Sequence, residues 1–262
     1  MGAWDTYRAR MAVHGNTERE RALNMTQAFI TNKIADSLSY HSVFIDGIEQ
    51  EVTILNQRED MAIKKICALP NESLTHGGIV DFADSKWLIT EVDANDEVYT
   101  SGMMRRCNYL LKWLDEKGRL IEKWCVVEDG TKYLIGEKTE SMMAIGDARI
   151  AITIARDEDT IKLERGKRFL VGDVESGNVL AYQITKPNHL FNVYNNKGVF
   201  RYILNEVNVT DDDNIGLCVA DYYNWKPYEP RDNEHVDLDI PLEEIIENAP
   251  VIDRNDNKEV WL

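Results

Sequence analysis

The chain has 262 residues, of which 44% are hydrophobic and 29% charged, and its formal net charge is −16. This composition is typical of a soluble globular protein long enough to bury its own core, and it excludes collagen-like, disordered and disulfide-scaffold classes. No run approaches the roughly 20 apolar residues that a membrane-spanning helix needs, and the charged N-terminal residues argue against a signal peptide. Secretion and membrane insertion are therefore not expected, and the acidity disfavours tight binding to a phosphate backbone.

Residues 1–40 form an N-terminal helical segment, with an amphipathic helix predicted between Thr17 and Leu38. Thr17 is a candidate N-cap. The apolar positions recur every three or four residues, as in a helix with one apolar side; they are Ala22, Leu23, Met25, Phe29, Ile30, Ile34 and Leu38. That side either packs on the helix's own domain or docks on a neighbouring subunit, and the periodicity does not separate the two.

The apolar period changes to two after residue 41, which is the pattern of half-buried strands. Asp46 and Gly47 favour a type I′ turn between strands at residues 42–45 and 48–55. Further strands are predicted at residues 78–82, 86–92 and 97–100. Short strands joined by tight turns predict a small antiparallel β-barrel over residues 41–105.

A second antiparallel β domain is predicted over residues 106–223. It opens with a long hairpin, in which residues 106–114 and 119–127 flank a turn. One face of the outgoing strand is expected to be core; it carries Cys107, Tyr109, Leu111 and Trp113. The remaining strands are predicted at residues 148–155, 160–163, 168–171, 180–185, 199–204 and 216–222.

Residues 224–262 are predicted to be an extended acidic C-terminal arm. The acidity is concentrated here, because residues 206–262 hold 16 acidic and 4 basic side chains. Residues 241–247 have the pattern of a short helical turn, and apolar side chains are spaced along the arm up to residues 260–262. Such a segment is either a solvated end or an arm that orders on a neighbour. The fold class is therefore mainly β, with an N-terminal helix and an acidic arm.

No catalytic, cofactor-binding or metal-binding residue is assigned. Nucleotide-binding, zinc-protease and serine-hydrolase motifs do not occur in the sequence. The five histidines lie far apart and are expected in turns or on the surface; they are His14, His41, His76, His189 and His235. The four cysteines lack zinc-ligand spacing and are interpreted as reduced packing residues; they are Cys67, Cys107, Cys125 and Cys218.

Two charged clusters have both a ligand-binding and a structural interpretation. Residues 211–214 (Asp-Asp-Asp-Asn) offer oxygen ligands for a hard cation, but the glycine and the distal glutamate of a calcium loop are missing. Residues 165–168 (Arg-Gly-Lys-Arg) form the densest basic cluster and offer donors to a phosphate. For both clusters the favoured interpretation is a solvated turn.

Several stretches resemble structural proteins from tailed bacteriophages of Gram-positive hosts. The opening WDTYRARM at residues 4–11 and HGNT at residues 14–17 are similar to the start of such proteins, as are KWLITE at residues 86–91 and CNYLLKW at residues 107–113. The similarity continues through TIKLERGKRF at residues 160–169 and covers most of residues 1–205. These proteins are head-completion components, the head-closure or stopper rings of the neck.

The resemblance implies a non-enzymatic virion protein that forms a homo-oligomeric ring at the head–tail junction. Such a ring binds the portal or adaptor protein above and a tail protein below, and it closes the DNA channel after packaging. Packaged DNA would pass without sequence-specific binding, which an acidic lumen formed by the C-terminal arm would favour. Residues 56–59 and 128–140 are candidate gating loops. The protein would be made in the bacterial cytoplasm and reside in the virion neck.

Two other functions stay open from the sequence. A tail or baseplate component, such as a distal tail ring protein, would also use β-barrels with partner-binding loops. A carbohydrate-binding β module would need tryptophans on its surface; the candidates are Trp87, Trp113, Trp124 and Trp225. Trp87 and Trp113 lie among apolar neighbours and are expected in the core. A glycosidase with paired carboxylates is not excluded, although many acidic residues make chance pairs inevitable.

Overall fold

A computed structural model describes residues 2, 4, 15, 17–57, 60–93, 97–129, 149–189 and 192–224. The predictions for the acidic arm beyond Asn224, for His14, His235 and Trp225, for half of the candidate gating loop 56–59 and for most of the loop 128–140 fall outside these residues.

The N-terminal helix is confirmed as α1, Glu18–Lys33. Thr17 and Glu20 form a reciprocal cap: the Glu20 amide donates to Thr17 Oγ1 at 3.1 Å, and the Thr17 amide donates to Glu20 Oε2 at 3.2 Å. This pair satisfies two amides that have no partner inside the helix. A 3-10 turn at Ile34–Asp36 follows and leads into the first strand.

The first β unit is a closed antiparallel barrel of six strands, in the order β1-β2-β3-β6-β5-β4. The strands are β1 (Tyr40–Ile45), β2 (Ile48–Asn56), β3 (Ile63–Ala68), β4 (Ile79–Phe82), β5 (Ser85–Asp93) and β6 (Ser101–Arg106). Alternate residues point inward, so apolar side chains from every strand fill the interior; they include Val43, Val52, Ile66, Val80, Trp87, Ile89 and Met104. Closure removes exposed strand edges from this unit.

The turn between β1 and β2 has the predicted geometry. Asp46 and Gly47 have φ values of 51° and 82°, which is the pattern of a type I′ turn. The β4–β5 turn is built in the same way, with φ values of 50° at Ala83 and 54° at Asp84. Ala83 is unusual there, because a residue with a Cβ atom rarely adopts positive φ.

The sequence pattern misplaces the strands around β6. Strand β3 is absent from the prediction, because Lys64 and Lys65 interrupt its alternation and its last three residues are all buried. Residues 97–100 are not a strand. Residues 106–114 are not one continuous strand either: the Asn108 side chain exchanges two hydrogen bonds of 2.8 Å with the Val127 backbone, and the next strand begins after it.

The second β unit is an antiparallel sheet in the order β10-β11-β13-β9-β8-β7, with β12 paired to β13. Its strands are β7 (Tyr109–Leu114), β8 (Leu120–Asp129), β9 (Arg149–Ala155), β10 (Arg168–Asp173), β11 (Asn178–Asn188), β12 (Val193–Tyr194) and β13 (Lys197–Val207). The sheet curls around its own core, which includes Leu111, Trp113, Ile152, Phe169, Ile184, Tyr202 and Leu204. The mainly β class with two antiparallel units is therefore confirmed.

Two predicted strands of this unit are wrong. Thr160–Lys162 is a 3-10 turn, and Thr160 is buried where its carbonyl accepts a hydrogen bond of 2.8 Å from the Tyr202 hydroxyl. Residues 216–222 form turns, with a single bridge between Asn214 and Val219. Each segment contains buried apolar residues, Leu163 in the first and Cys218, Val219 and Ala220 in the second, and burial outside a strand gives a similar composition.

Tyr109 links the two outer strands of the curled sheet. It belongs to β7, yet its hydroxyl accepts a hydrogen bond of 3.2 Å from the Gly172 amide of β10 and lies 3.2 Å from Cys218 Sγ. Burial raises the pKa of Tyr109 well above its ordinary value, with Cys218 contributing in the same direction. The neutral hydroxyl therefore holds this junction throughout the physiological pH range.

Candidate functional site

The three histidines that the structure describes have packing roles. His41 lies edge-on to Phe82, and His76 stacks on Tyr194 with ring centroids 5.6 Å apart. His189 packs on Phe200, and its ring nitrogen is 3.1 Å from the Tyr202 hydroxyl. Among the described residues, no group of three or more His, Cys, Asp and Glu side chains is placed to hold a metal ion. The four cysteines are buried and form no disulfide with one another, as expected of packing residues.

The two charged clusters that the sequence keeps apart are brought together in the structure. Arg168, at the start of β10, donates to both carboxylate oxygens of Asp213, at 3.1 and 2.8 Å, and to Asp221 Oδ1 at 2.5 Å. The Asp213 side chain is 0% exposed and that of Arg168 is 14% exposed. The interpretation of both clusters as solvated turns is therefore wrong at these two residues.

Backbone amides complete the environment of Asp213. The amides of Thr210 and Asp221 each donate to its carboxylate at 2.8 Å. Burial favours the neutral acid, but these amides and the Arg168 guanidinium outweigh it and hold the pKa of Asp213 below its usual range. The network attaches residues 208–221 to the second sheet, and the partners of Arg168 and Asp213 lie within the protein. It is therefore a structural element.

Lys167 lies beside this network in a cleft under the β7–β8 turn. Its ammonium group donates to the Leu114 carbonyl at 3.1 Å. Burial lowers the pKa of Lys167, while the charges of Asp221 and Asp115 oppose the shift. The contact joins the segment before β10 to the end of β7, so this lysine also holds structure together.

The two β units meet along a seam with close backbone contact. Gly77, with φ of 85°, lies against β13 so closely that a Cβ atom there would sit 2.1 Å from the Gly198 carbonyl oxygen. A small apolar cluster fills the seam, comprising Leu88, Cys107, Val126 and Val199 with Ile79 and Ala155.

An ion-pair network extends this seam. Glu128 of β8 lies 2.6 Å from Arg105 of the barrel and 3.6 Å from Arg201 of β13. All three side chains are largely buried, so dissolved salt screens their charges less than it screens surface pairs. The barrel and the sheet therefore form one compact body.

Helix α1 is attached to the barrel mainly through Glu97. Arg19 donates to both carboxylate oxygens of Glu97 at 2.8 and 2.9 Å, and Gln27 donates to its carbonyl at 2.9 Å. No residue of the helix is fully buried. Met25 and Phe29, one turn apart, are 59% and 67% exposed. Part of the predicted apolar side thus rests beside the barrel, and another part faces solvent.

The tryptophans of the two β units divide into core and surface residues. Trp87 and Trp113 are 4% and 3% exposed, as expected for core residues, whereas Trp124 is 37% exposed. Trp124 borders a cleft of about 580 Å³ between the β4–β5 turn, the end of β6 and β8. The sequence identifies it as a tryptophan on a strand, but only the packing of the two units places it at the edge of the seam.

No helix in the described part of the chain is long and apolar enough to span a membrane.

Comparison with known proteins identifies one domain. Residues 19–106 match the family model described as the YomX N-terminal domain, a phage-associated domain family. The match starts inside α1 and ends at the last residue of β6, so it coincides with the helix and the first barrel. No curated protein and no solved structure matches the chain.

Proposed function

We propose that the chain is a bacteriophage virion protein that assembles into a ring at the head–tail junction. In this role it joins the portal or adaptor protein above to the tail below and closes the DNA channel after packaging. The observation that carries the proposal is the solvent-facing apolar side of α1, which lies in the region that matches a phage-associated domain family.

A single helix of this length needs packing to be stable. The 16 residues of α1 are close to the length at which isolated helices are marginal in water. Its attachment through Glu97 leaves Met25 and Phe29 exposed. Burying an apolar side chain of this size contributes about 1.5–3 kcal/mol. A neighbouring subunit that covers both residues would stabilise the helix and the assembly together.

A ring also needs a second, different face on each copy. Contacts in a ring are heterologous, so each copy presents two complementary surfaces that close after a fixed rotation. Phe44 and Ile48 of the β1–β2 hairpin are exposed apolar residues on the first barrel. They are candidates for the surface that receives α1 of the adjacent copy.

The rigid seam and the acidity suit the same role. A neck component must hold its shape while it connects two large assemblies, and the close backbone contact between Gly77 and Gly198 packs the two units directly against each other. Residues 206–262 carry most of the net negative charge of the chain. Placed along a channel, that charge would let the duplex slide by weakening phosphate contacts.

The test uses a double substitution, Met25→Glu with Phe29→Glu, in a phage whose own copy of the gene is disrupted. Thr31→Glu is the matched control, because it adds a carboxylate at an exposed position on another side of α1. The double variant should remain folded by circular dichroism and urea unfolding, yet fail to restore joined particles under the electron microscope. Equal complementation by the double variant and the control would refute the role of α1.

A further inference from the structure

The cleft beside Trp124 combines an aromatic surface with polar groups of both charges. It lies where the β4–β5 turn of the barrel approaches β8 of the sheet, and its volume is about 580 Å³. The protein uses none of these side chains in the α1 surface or in the Arg168 network.

Trp124 lies where strand β8 leaves the seam. Trp124 pairs with Leu110 across the β7–β8 ladder. Two residues further along β8 on the same face, Val126 is buried in the seam. The strand therefore passes from the seam to solvent over two positions, and Trp124 is the first large side chain to emerge. The residue is 37% exposed, which leaves aromatic surface available to a ligand.

Polar groups line the opposite side of the cleft. Asp84 lies at the β4–β5 turn and is exposed, and Lys86 pairs with Asp81 at 2.5 Å. Arg106, at the end of β6, forms no ion pair with another described residue. The cleft thus contains hydrogen-bond donors and acceptors next to an aromatic ring, all carried by strands or by a two-residue turn.

We propose that this cleft binds a saccharide, with a pyranose ring stacked on Trp124 and its hydroxyl groups held by Asp84 and Arg106. A pyranose has an apolar C–H face and a rim of hydroxyls that donate and accept hydrogen bonds. Few precisely placed polar groups beside an aromatic surface are the usual composition of a small-molecule site. The site is separate from the α1 surface, so it stands or falls independently of the proposed ring.

Other ligand classes fit the lining less well. A phosphate backbone would meet the carboxylates of Asp81 and Asp84, which repel it. A purely apolar ligand would leave the charged groups of Asp84 and Arg106 without compensation. A neutral sugar meets neither obstacle.

The test is a titration of the full-length protein with methyl glycosides of glucose, galactose, N-acetylglucosamine and mannose. The indole N–H resonance of Trp124, assigned by its loss in Trp124→Phe, is followed by NMR. At least one glycoside should shift this resonance saturably and leave those of Trp87 and Trp113 in place. Absence of any saturable shift with all four glycosides would overturn the proposal.

Variants locate the binding. Trp124→Ala should weaken binding of that glycoside about tenfold, because it removes the stacking surface. Leu120→Ala, which trims another exposed apolar side chain of β8, is the matched control and should bind normally. Asp84→Asn keeps a residue that tolerates positive φ and should weaken binding as well. Unchanged affinity in Trp124→Ala would overturn the assignment, as would equal losses in Leu120→Ala.

Discussion

Replacing Arg168 with methionine removes the cation that holds residues 208–221 on the second sheet. The guanidinium donates to Asp213 at 2.8 and 3.1 Å, to Asp221 at 2.5 Å, to Thr210 Oγ1 at 3.1 Å and to the Asn208 carbonyl at 3.0 Å. Methionine retains most of the aliphatic stem, so the substitution removes mainly the charge and its hydrogen bonds.

The expected loss follows from the burial of Asp213. Removing one partner of a buried ion pair costs about 3–5 kcal/mol, because the other charge stays buried without compensation. The amides of Thr210 and Asp221 remain as donors to Asp213, and this retains part of the stabilisation. We therefore expect Arg168→Met to lower the free energy of unfolding by the smaller value, about 3 kcal/mol.

The loss should depend on pH. The folded-state pKa of Asp213 is lowered, so its stabilising contribution is present above the unfolded value of about 3.9 and is lost as the pH falls through the lower folded value. Without Arg168 that pKa rises. The difference in unfolding free energy between the wild type and Arg168→Met should therefore shrink at acidic pH.

The assay is urea unfolding followed by tryptophan fluorescence, at neutral pH and at pH values below about 3.9, where the Asp213 contribution is lost. Arg165→Met is the control, because Arg165 is exposed and forms no ion pair with another described residue. It should change the unfolding free energy by no more than about 0.5 kcal/mol. If Arg168→Met unfolds like Arg165→Met at neutral pH, or if its deficit grows on acidification, the assignment of a buried stabilising network is refuted.

Three further results are expected. Gly77→Ala should destabilise the protein by about 1–3 kcal/mol in urea, and more than Gly177→Ala. Both glycines have positive φ, but only at Gly77 would the added Cβ atom lie 2.1 Å from a carbonyl oxygen of β13. Equal losses would contradict the close seam. Tyr109→Phe should cost about 1–3 kcal/mol, because it leaves the Gly172 amide without its hydroxyl acceptor, and an unchanged urea midpoint would contradict the link between β7 and β10. Burial raises the pKa of Cys107 to about 12, so a thiol reagent at pH 8 should label it only after unfolding; rapid labelling of the native protein would contradict its burial.

Features with a local signature are the ones that the sequence predicts. The cap at Thr17 and the type I′ turn at Asp46 and Gly47 depend on a few neighbouring residues, and both are present in the structure. Strand β3 has no such signature, since its lysines disrupt the alternation while the closed barrel buries its last residues. Strand β3 forms because the barrel closes, and closure depends on pairing between strands that are far apart in the chain.

The candidate sites, too, depend on contacts that the sequence does not predict. Residues 165–168 and 211–214 each have the composition of a solvated turn, and only the packing of the segment after β13 against β10 makes Arg168 and Asp213 partners. Trp113 and Trp124 lie on paired strands with similar neighbours. They differ because one faces the core of the sheet and the other faces the seam, and a single sequence contains no signal for a contact between two units.

Electron microscopy of the particles produced when this gene is disrupted in the genome that encodes it tests the proposed neck role most directly. The account predicts emptied heads beside separate, complete tails, because a head that is not closed loses its DNA and cannot be joined to a tail. DNA-filled heads without normal tails would instead assign the protein to tail or baseplate assembly. Intact, infectious, tailed particles would contradict a role in virion assembly.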